Sequence, residues 1–116
     1  VYVLASVQTP TDPMDVHFIR STDGGLTWSS PVRVNDDAAG SGAWQWFATM
    51  SVAPNGRIDV VWNDNRNTLQ VNRSQLFYSY SLDAGVNWSE NTAVSPVFDS
   101  FVGWPNSIEV LASIRA

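Results

Sequence analysis

Two aspartates of this chain stand in the same frame. Ser21-x-Asp23-x-Gly25-x-x-Trp28 recurs at Ser81-x-Asp83-x-Gly85-x-x-Trp88, an offset of 60 residues. A pair of carboxylates could divide general acid and general base work between them. The repetition favours another use, because each Asp belongs to its own copy of the frame. At the start of a tight turn a short carboxylate accepts hydrogen bonds from backbone N–H groups one to three residues on. Gly25 and Gly85 then allow a positive φ, and Trp28 and Trp88 return over the turn as large apolar plugs. Ser21, Asp23, Gly25 and Trp28, with Ser81, Asp83, Gly85 and Trp88, are therefore expected to be structural.

A second set of chemically able residues lies in the long irregular segments 8–15, 35–46, 63–74 and 95–104. These carry Asp12, Asp15, Asp36, Asp37, Asp64 and Asp99, with Arg66, Arg73, Trp44, Trp46 and Trp104. Carboxylates and arginines beside exposed tryptophans suit a polyhydroxylated ligand. The indole stacks on the apolar face of a sugar while the charged groups take its hydroxyls. The candidate ligand-binding set is Asp36, Asp37, Trp44, Asp64, Arg66 and Arg73. Plainer uses compete for some members: Asp64 and Arg66, within "NDNR", can pair with each other and hold a turn. Trp46 and Trp104 occupy equivalent repeat positions and can pack between units, whereas Trp44 has no counterpart and is expected to be exposed. His17 aligns with Phe77 as a strand residue. No metal-ligand spacing and no cofactor motif is present, and the sequons at 72–74 and 87–89 are too short to weigh.

Segments rich in Val, Ile, Tyr, Phe and Trp must position both sets. They fall at 1–7, 16–20, 27–34, 47–53, 57–62, 76–81, 87–94 and 106–113, separated by turn signals such as "TPTDP", "PNG" and "NDNRN". No stretch shows a helical period, so the chain reads as all-β. The repeat extends well past the frame. "VHFIRSTDGGLTWSSPVRVN" lies over "LFYSYSLDAGVNWSENTAVS" at an offset of 60, "WFATMSV" over "WPNSIEV" at 58, and "VYVLAS" over "IDVVWN" at 57. One full unit has strand A at 47–53, B at 57–63, C at 75–81 and D at 87–95. Residues 1–34 supply B, C and D of an earlier unit, and 104–110 supply a further A. Four short antiparallel strands per unit of about 40 to 60 residues is the pattern of a β-propeller blade. In that arrangement the long segments share one end of the sheets and the Asp frame lies at the other.

The composition bounds the partners. The 116 residues are 44% hydrophobic and 15% charged, which fits one folded domain. Eleven acidic residues against six Arg, a net charge of -5, argue against nucleic acid. There is no cysteine to report on redox compartment, and no apolar run long enough to span a bilayer.

The two octapeptides, "STDGGLTW" and "SLDAGVNW", resemble the Asp-box, or BNR repeat, of sialidase-type β-propellers, and "SVAPNGRIDVVWNDNRN" is similar to the strand A to strand B stretch that precedes it there. The resemblance covers essentially the whole chain. It implies two four-stranded antiparallel blades per chain, Asp-boxes on the face opposite any active site, and a secreted or periplasmic setting. Sialidases use an Arg cluster, a Tyr nucleophile assisted by Glu, and an Asp acid/base. Those parts are not recognisable: the Arg-Ile-Pro entry motif is absent, with "RID" at 57–59 the nearest string. Tyr2, Tyr78 and Tyr80 fall within strands, and Glu90 and Glu109 are not placed near them by the repeat. The expectation is a carbohydrate-binding or scaffold propeller module; the alternative is a sialidase-type glycoside hydrolase or a piece of one.

Two blades cannot close a ring. Strand 106–110 of one copy could pair with 1–7 of another, so that three chains would build six blades, a homotrimer with heterologous interfaces. The rival expectation is one segment of a longer propeller. Besides self and a glycan, no partner, nucleic acid or membrane is expected.

Overall fold

Alternation of apolar and polar residues, bounded by Pro, Gly and Asn, makes a chain that can bury one side of each strand. The computed structural model describes residues 1–102, and every regular element in them is a strand. These are β1 (Tyr2–Val7), β2 (Asp15–Arg20), β3 (Val32–Arg33), β4 (Gln45–Val52), β5 (Ile58–Asp64), β6 (Arg73–Ser81), β7 (Thr92–Ala93) and β8 (Phe98–Asp99). The strand expected at 104–110, with Trp104 and Glu109, lies outside the described residues.

Two antiparallel sheets result, and neither closes on itself. The first has the order β1-β2-β3; the second has β4-β5-β6-β7, with β8 added to the start of β6. The register is equivalent at the positions 60 residues apart: His17 and Phe18 pair with Arg33 and Val32 as Phe77 and Tyr78 pair with Ala93 and Thr92. Phe18 faces Leu4 on β1, and Tyr78 faces Val61 on β5.

The expected outer strands at 27–34 and 87–95 shrink to two residues each. Side chains explain the shortening. Ser29 donates its N–H to the Arg20 carbonyl at 2.9 Å, but the Arg20 N–H returns to the Ser29 hydroxyl at 3.0 Å. Ser89 does the same with Tyr80, at 2.8 and 2.9 Å. At the far end Asn35 Oδ1 and Ser95 Oγ accept the N–H groups of Val16 and Leu76. Hydroxyl and amide oxygens thus stand where a partner carbonyl would, so the pairing persists while the regular ladder stops. The addition of β8 also departs from the loop expected at 95–104.

The core lies between the sheets. Val16, Phe18 and Val34 of the first pack with Ile58, Val60, Trp62 and Phe77 of the second, all at most 4% exposed. Burying each such side chain stabilises the fold by roughly 1.5–3 kcal/mol. Trp88 joins from the rim, its ring 5.3 Å from that of Phe18 at 70°.

The Asp turns follow β2 and β6, at the end of the sheets where Tyr2 pairs with Arg20 and Ile58 with Ser81. Their wiring differs from expectation in one respect. The backbone N–H that each carboxylate accepts comes from four residues on, Thr27 to Asp23 at 2.9 Å and Asn87 to Asp83 at 2.8 Å. The serine hydroxyl donates to the same carboxylate and accepts the glycine N–H, at 2.7 and 2.8 Å in the first turn and 2.8 and 2.9 Å in the second. Each indole N–H then bonds the glycine carbonyl, at 3.1 Å for Trp28 and 3.2 Å for Trp88. The carboxylates are held down to about 2, Asp23 chiefly by the Thr27 hydroxyl and N–H, Asp83 chiefly by the Asn87 N–H and amide.

One glycine does more than relieve its own backbone. Gly85 has φ 84°, and a Cβ there would sit 2.0 Å from a Phe18 ring carbon, so the first sheet's aromatic ring rests on the second sheet's turn.

Candidate functional site

Side chains hold together the end of the molecule opposite the Asp turns, where the connections are long. Asp12 accepts the Gly40 N–H at 2.8 Å and the Thr11 hydroxyl at 3.1 Å, tying the β1–β2 connection to the β3–β4 connection. The Gly40 bond is the main reason its pKa lies below the usual carboxylate value. From β3, Arg33 reaches Asp15 at 3.1 Å and the Asp37 carbonyl at 2.6 Å, while the Asn35 amide spans Asp15 and Asp37 at 2.7 Å each.

Arg66 is the hub that joins the sheets. It follows β5 directly, and its Nε and Nη2 bond Asp64 Oδ2 at 3.0 and 2.7 Å. Nη1 crosses to Asp36 Oδ1 at 2.6 Å, and Nη2 also donates to the side-chain carbonyl of Asn91 at 3.0 Å. Asp37 lies 3.8 Å from the same Nη2, and the guanidinium carbon stands 4.3 Å above the Phe77 ring centre. Planar delocalised charge, five donors and a face that tolerates an aromatic ring are what arginine alone supplies here. Burial works against the Arg66 charge, but the hydrogen bonds it donates to Asp64 and Asp36 outweigh it and raise its pKa. For Asp36 burial likewise opposes ionisation, and the Asn91 N–H and Arg66 overcome it, leaving its pKa lowered.

This network brings four of the six candidates together and leaves them occupied. Asp64 is fully buried: Oδ1 accepts the Arg66 N–H at 2.8 Å and the Gln45 amide at 3.3 Å, and Oδ2 also accepts the Trp62 indole N–H at 2.9 Å. Both oxygens of Asp36 are engaged, one by Arg66 and the other by the Asn91 N–H at 2.9 Å. Asp37 is almost as buried, between Arg33, Asn35 and the Ser41 hydroxyl. Wherever a carboxylate is displaced from its ordinary range, at Asp12, Asp23, Asp36, Asp59 and Asp83, the displacement is downward. A general acid needs the opposite. The Tyr78 hydroxyl donates to Asp59 at 2.6 Å, and that bond, with burial, raises its pKa, contrary to the need of a nucleophilic phenol.

The remaining candidates lie beside the hub. Trp44 is bonded through its backbone to the loop that follows Asp64, its N–H to Asn65 Oδ1 at 2.7 Å, and its side of the chain remains open, at 42% exposure. Its ring, with Trp46, Val71 and Phe101, lines a hollow of about 190 Å³. Arg73 starts β6, exposed and paired through its backbone with Asp99, and among the described residues it takes no part in the Arg66 network.

Sequence reasoning missed Asn91, which comes to the hub from the second sheet's outer strand, and it missed the apolar rim. A register shift between Trp46 and Thr49 leaves Phe47 outside the ladder at φ 53°, and its ring stands 75% exposed beside that of Trp46, 4.6 Å away. The alternation of "WQWFATM" gives no sign of that bulge. Leu69 shares both features, with φ 53° and 60% exposure. Non-glycine residues at positive φ store strain that tends to cluster at binding sites. Among the described residues no three His, Asp or Glu side chains converge as a metal site. No known family model and no curated protein matches the chain.

Proposed function

We propose that the chain is a carbohydrate-binding or scaffold module made of two Asp-box propeller blades, with its binding surface at the aromatic hollow of the long-loop end. Three features support the blade reading: the repeated strand order, the same Asp turn after β2 and β6, and sheets stacked face to face. The binding reading rests on one observation: an exposed Trp44 is fixed by its backbone to a loop that is itself held by side-chain hydrogen bonds of Asn65, Arg66, Asn67 and Thr68. A loop held in this way is partly ordered before a ligand arrives, which removes part of the cost of binding. The indole faces would take the C–H surface of a sugar ring, and the strained, exposed Phe47 and Leu69 lie on neighbouring stretches of chain. The carboxylates and Arg66 serve as the support of that surface in this reading, not as its catalytic equipment.

The test is a panel of soluble glycans titrated against the protein by intrinsic tryptophan fluorescence, with Trp44→Ala as control. Saturable binding that weakens at least about tenfold in Trp44→Ala supports a sugar site, a loss of roughly 1.4 kcal/mol or more. Binding to no glycan leaves the scaffold role, and turnover of a fluorogenic sialoside would replace both with hydrolysis.

A further inference from the structure

The two sheets meet through unlike faces, and the repeat converts that into a statement about the faces left outside. The first sheet buries Val16 and Phe18 against the second, with Leu4 partly buried beside them, and the second answers with Val60, Trp62 and Phe77. By register, Phe18 and Leu4 occupy the positions of Tyr78 and Val61. Yet Tyr78 and Val61 lie on the outward face of the second sheet, with Tyr80 and Val61 each 37% exposed. Conversely, the buried Val60 and Trp62 correspond to Val3 and Ala5, on the outward face of the first sheet, where Val3 is 41% exposed. Each outward face therefore has the sequence positions of a face that is buried inside the same molecule.

The seat is duplicated as well. Phe18 rests on Gly85 and against Trp88. Gly25 and Trp28 form the same turn in the first sheet, with Trp28 41% exposed, and among the described residues, chain neighbours aside, only the Trp28 ring lies within 4 Å of a Cβ placed on Gly25. The positional equivalent of Phe18 that would fill that seat is Tyr78.

We propose that a second copy of this chain docks head to tail, its Tyr78 face on the outward face of the first sheet, with Tyr78 seated on Gly25 beside Trp28. The docking holds whether or not the aromatic hollow takes a sugar. It reuses the internal packing but lacks its charged clamp: Asp36 and Asn91 correspond to Pro96 and Pro31, which bring neither a carboxylate nor an N–H. Association between copies is accordingly weaker than packing within one, and depends on concentration. A heterologous contact closes into a ring or runs on as a fibre. Three copies would place six sheets around an axis.

Light scattering behind a sizing column tests this with two surface variants. Val61→Arg blocks the docking face and Val3→Arg blocks the receiving face; both positions are exposed within one chain, so circular dichroism should show each variant folded. Wild type is expected as a whole-number multiple of the chain mass, three for the closed ring, and each variant alone as a monomer. An equimolar mixture is expected to form a dimer and nothing larger, because one good pair of faces remains. A wild type that stays monomeric at its highest soluble concentration overturns the proposal. So does a folded variant that assembles alone, or a mixture of folded variants that remains monomeric.

Discussion

Replacing Gly85 by alanine puts a methyl carbon inside the contact distance of Phe18. The added Cβ would lie 2.0 Å from one ring carbon and 2.6 Å from two others. The ring has little room to retreat, since it is 1% exposed and flanked by Tyr2 and Trp88, both at 5.3 Å between centroids. Gly25→Ala is the internal control. It shares the positive φ, 94° against 84°, but among the described residues its Cβ would meet only Trp28, at an ordinary 3.6 Å. The conformational part costs about 1–2 kcal/mol at either position. Overpacking adds about 1–3 kcal/mol at Gly85 alone. Equilibrium urea unfolding of the monomer should therefore show Gly25→Ala down by about 1–2 kcal/mol and Gly85→Ala by about 2–5 kcal/mol. At roughly 4 °C per kcal/mol for a chain of this size, the two melting temperatures should differ by about 4–12 °C. Pairing Gly85→Ala with Phe18→Ala should cost less than the sum of the single losses, by about the overpacking energy. Equal losses in the two glycine variants, or an additive double variant, would refute the idea that the ring rests on the turn.

Arg66→Met should cost about 3–5 kcal/mol by the same assay, because it leaves the buried Asp64 without its cation; Arg66→Lys should recover little, since one ammonium cannot reach Asp64, Asp36 and Asn91 together. The Asp turns set an acid limit. Asp23 and Asp83 have folded values of about 2 against an ordinary 3.8, so their stabilisation is complete above about pH 4 and is lost as pH falls toward 2. Thermal melts from pH 6 to 2 should show that decline, and an Asp23→Asn, Asp83→Asn double variant should lose stability at pH 6 and show a shallower slope. Trp44→Ala should leave the melting temperature within about 2 °C of wild type, the expectation for an exposed side chain outside the core, so any loss of glycan binding reports the surface itself.

What the sequence made legible follows from how local each interaction is. Ser21, Asp23, Gly25 and Trp28 satisfy one another within eight residues, and a second copy at Ser81 made the frame unmistakable. Asp64 and Arg66 are two residues apart, so their pairing could be weighed in advance. Asp36 and Asn91 meet across the seam between the sheets, and no periodicity encodes that meeting. The outer strands misled for a different reason: Ser29 and Ser89 read as ordinary strand residues, yet their hydroxyls replace the backbone partner and stop the ladder. Likewise, alternation marked Phe47 as a strand position, but the bulge beside Trp46 turns it out of the sheet. Alternation along a strand separates its two faces. Which face meets the neighbouring sheet required the register.

The serine-capped outer strands have a consequence for self-templating. With side-chain oxygens of the outer strands already on the N–H groups of Val16, Arg20, Leu76 and Tyr80, β2 and β6 leave few free donors on the side that faces β3 and β7, so a peptide that displaced an outer strand would meet capped positions there. Amyloid growth proceeds by strand addition, one strand upon the last. Along β2 and β6 the caps therefore oppose strand exchange, since an invading strand would have to break the serine and asparagine bonds before it could pair.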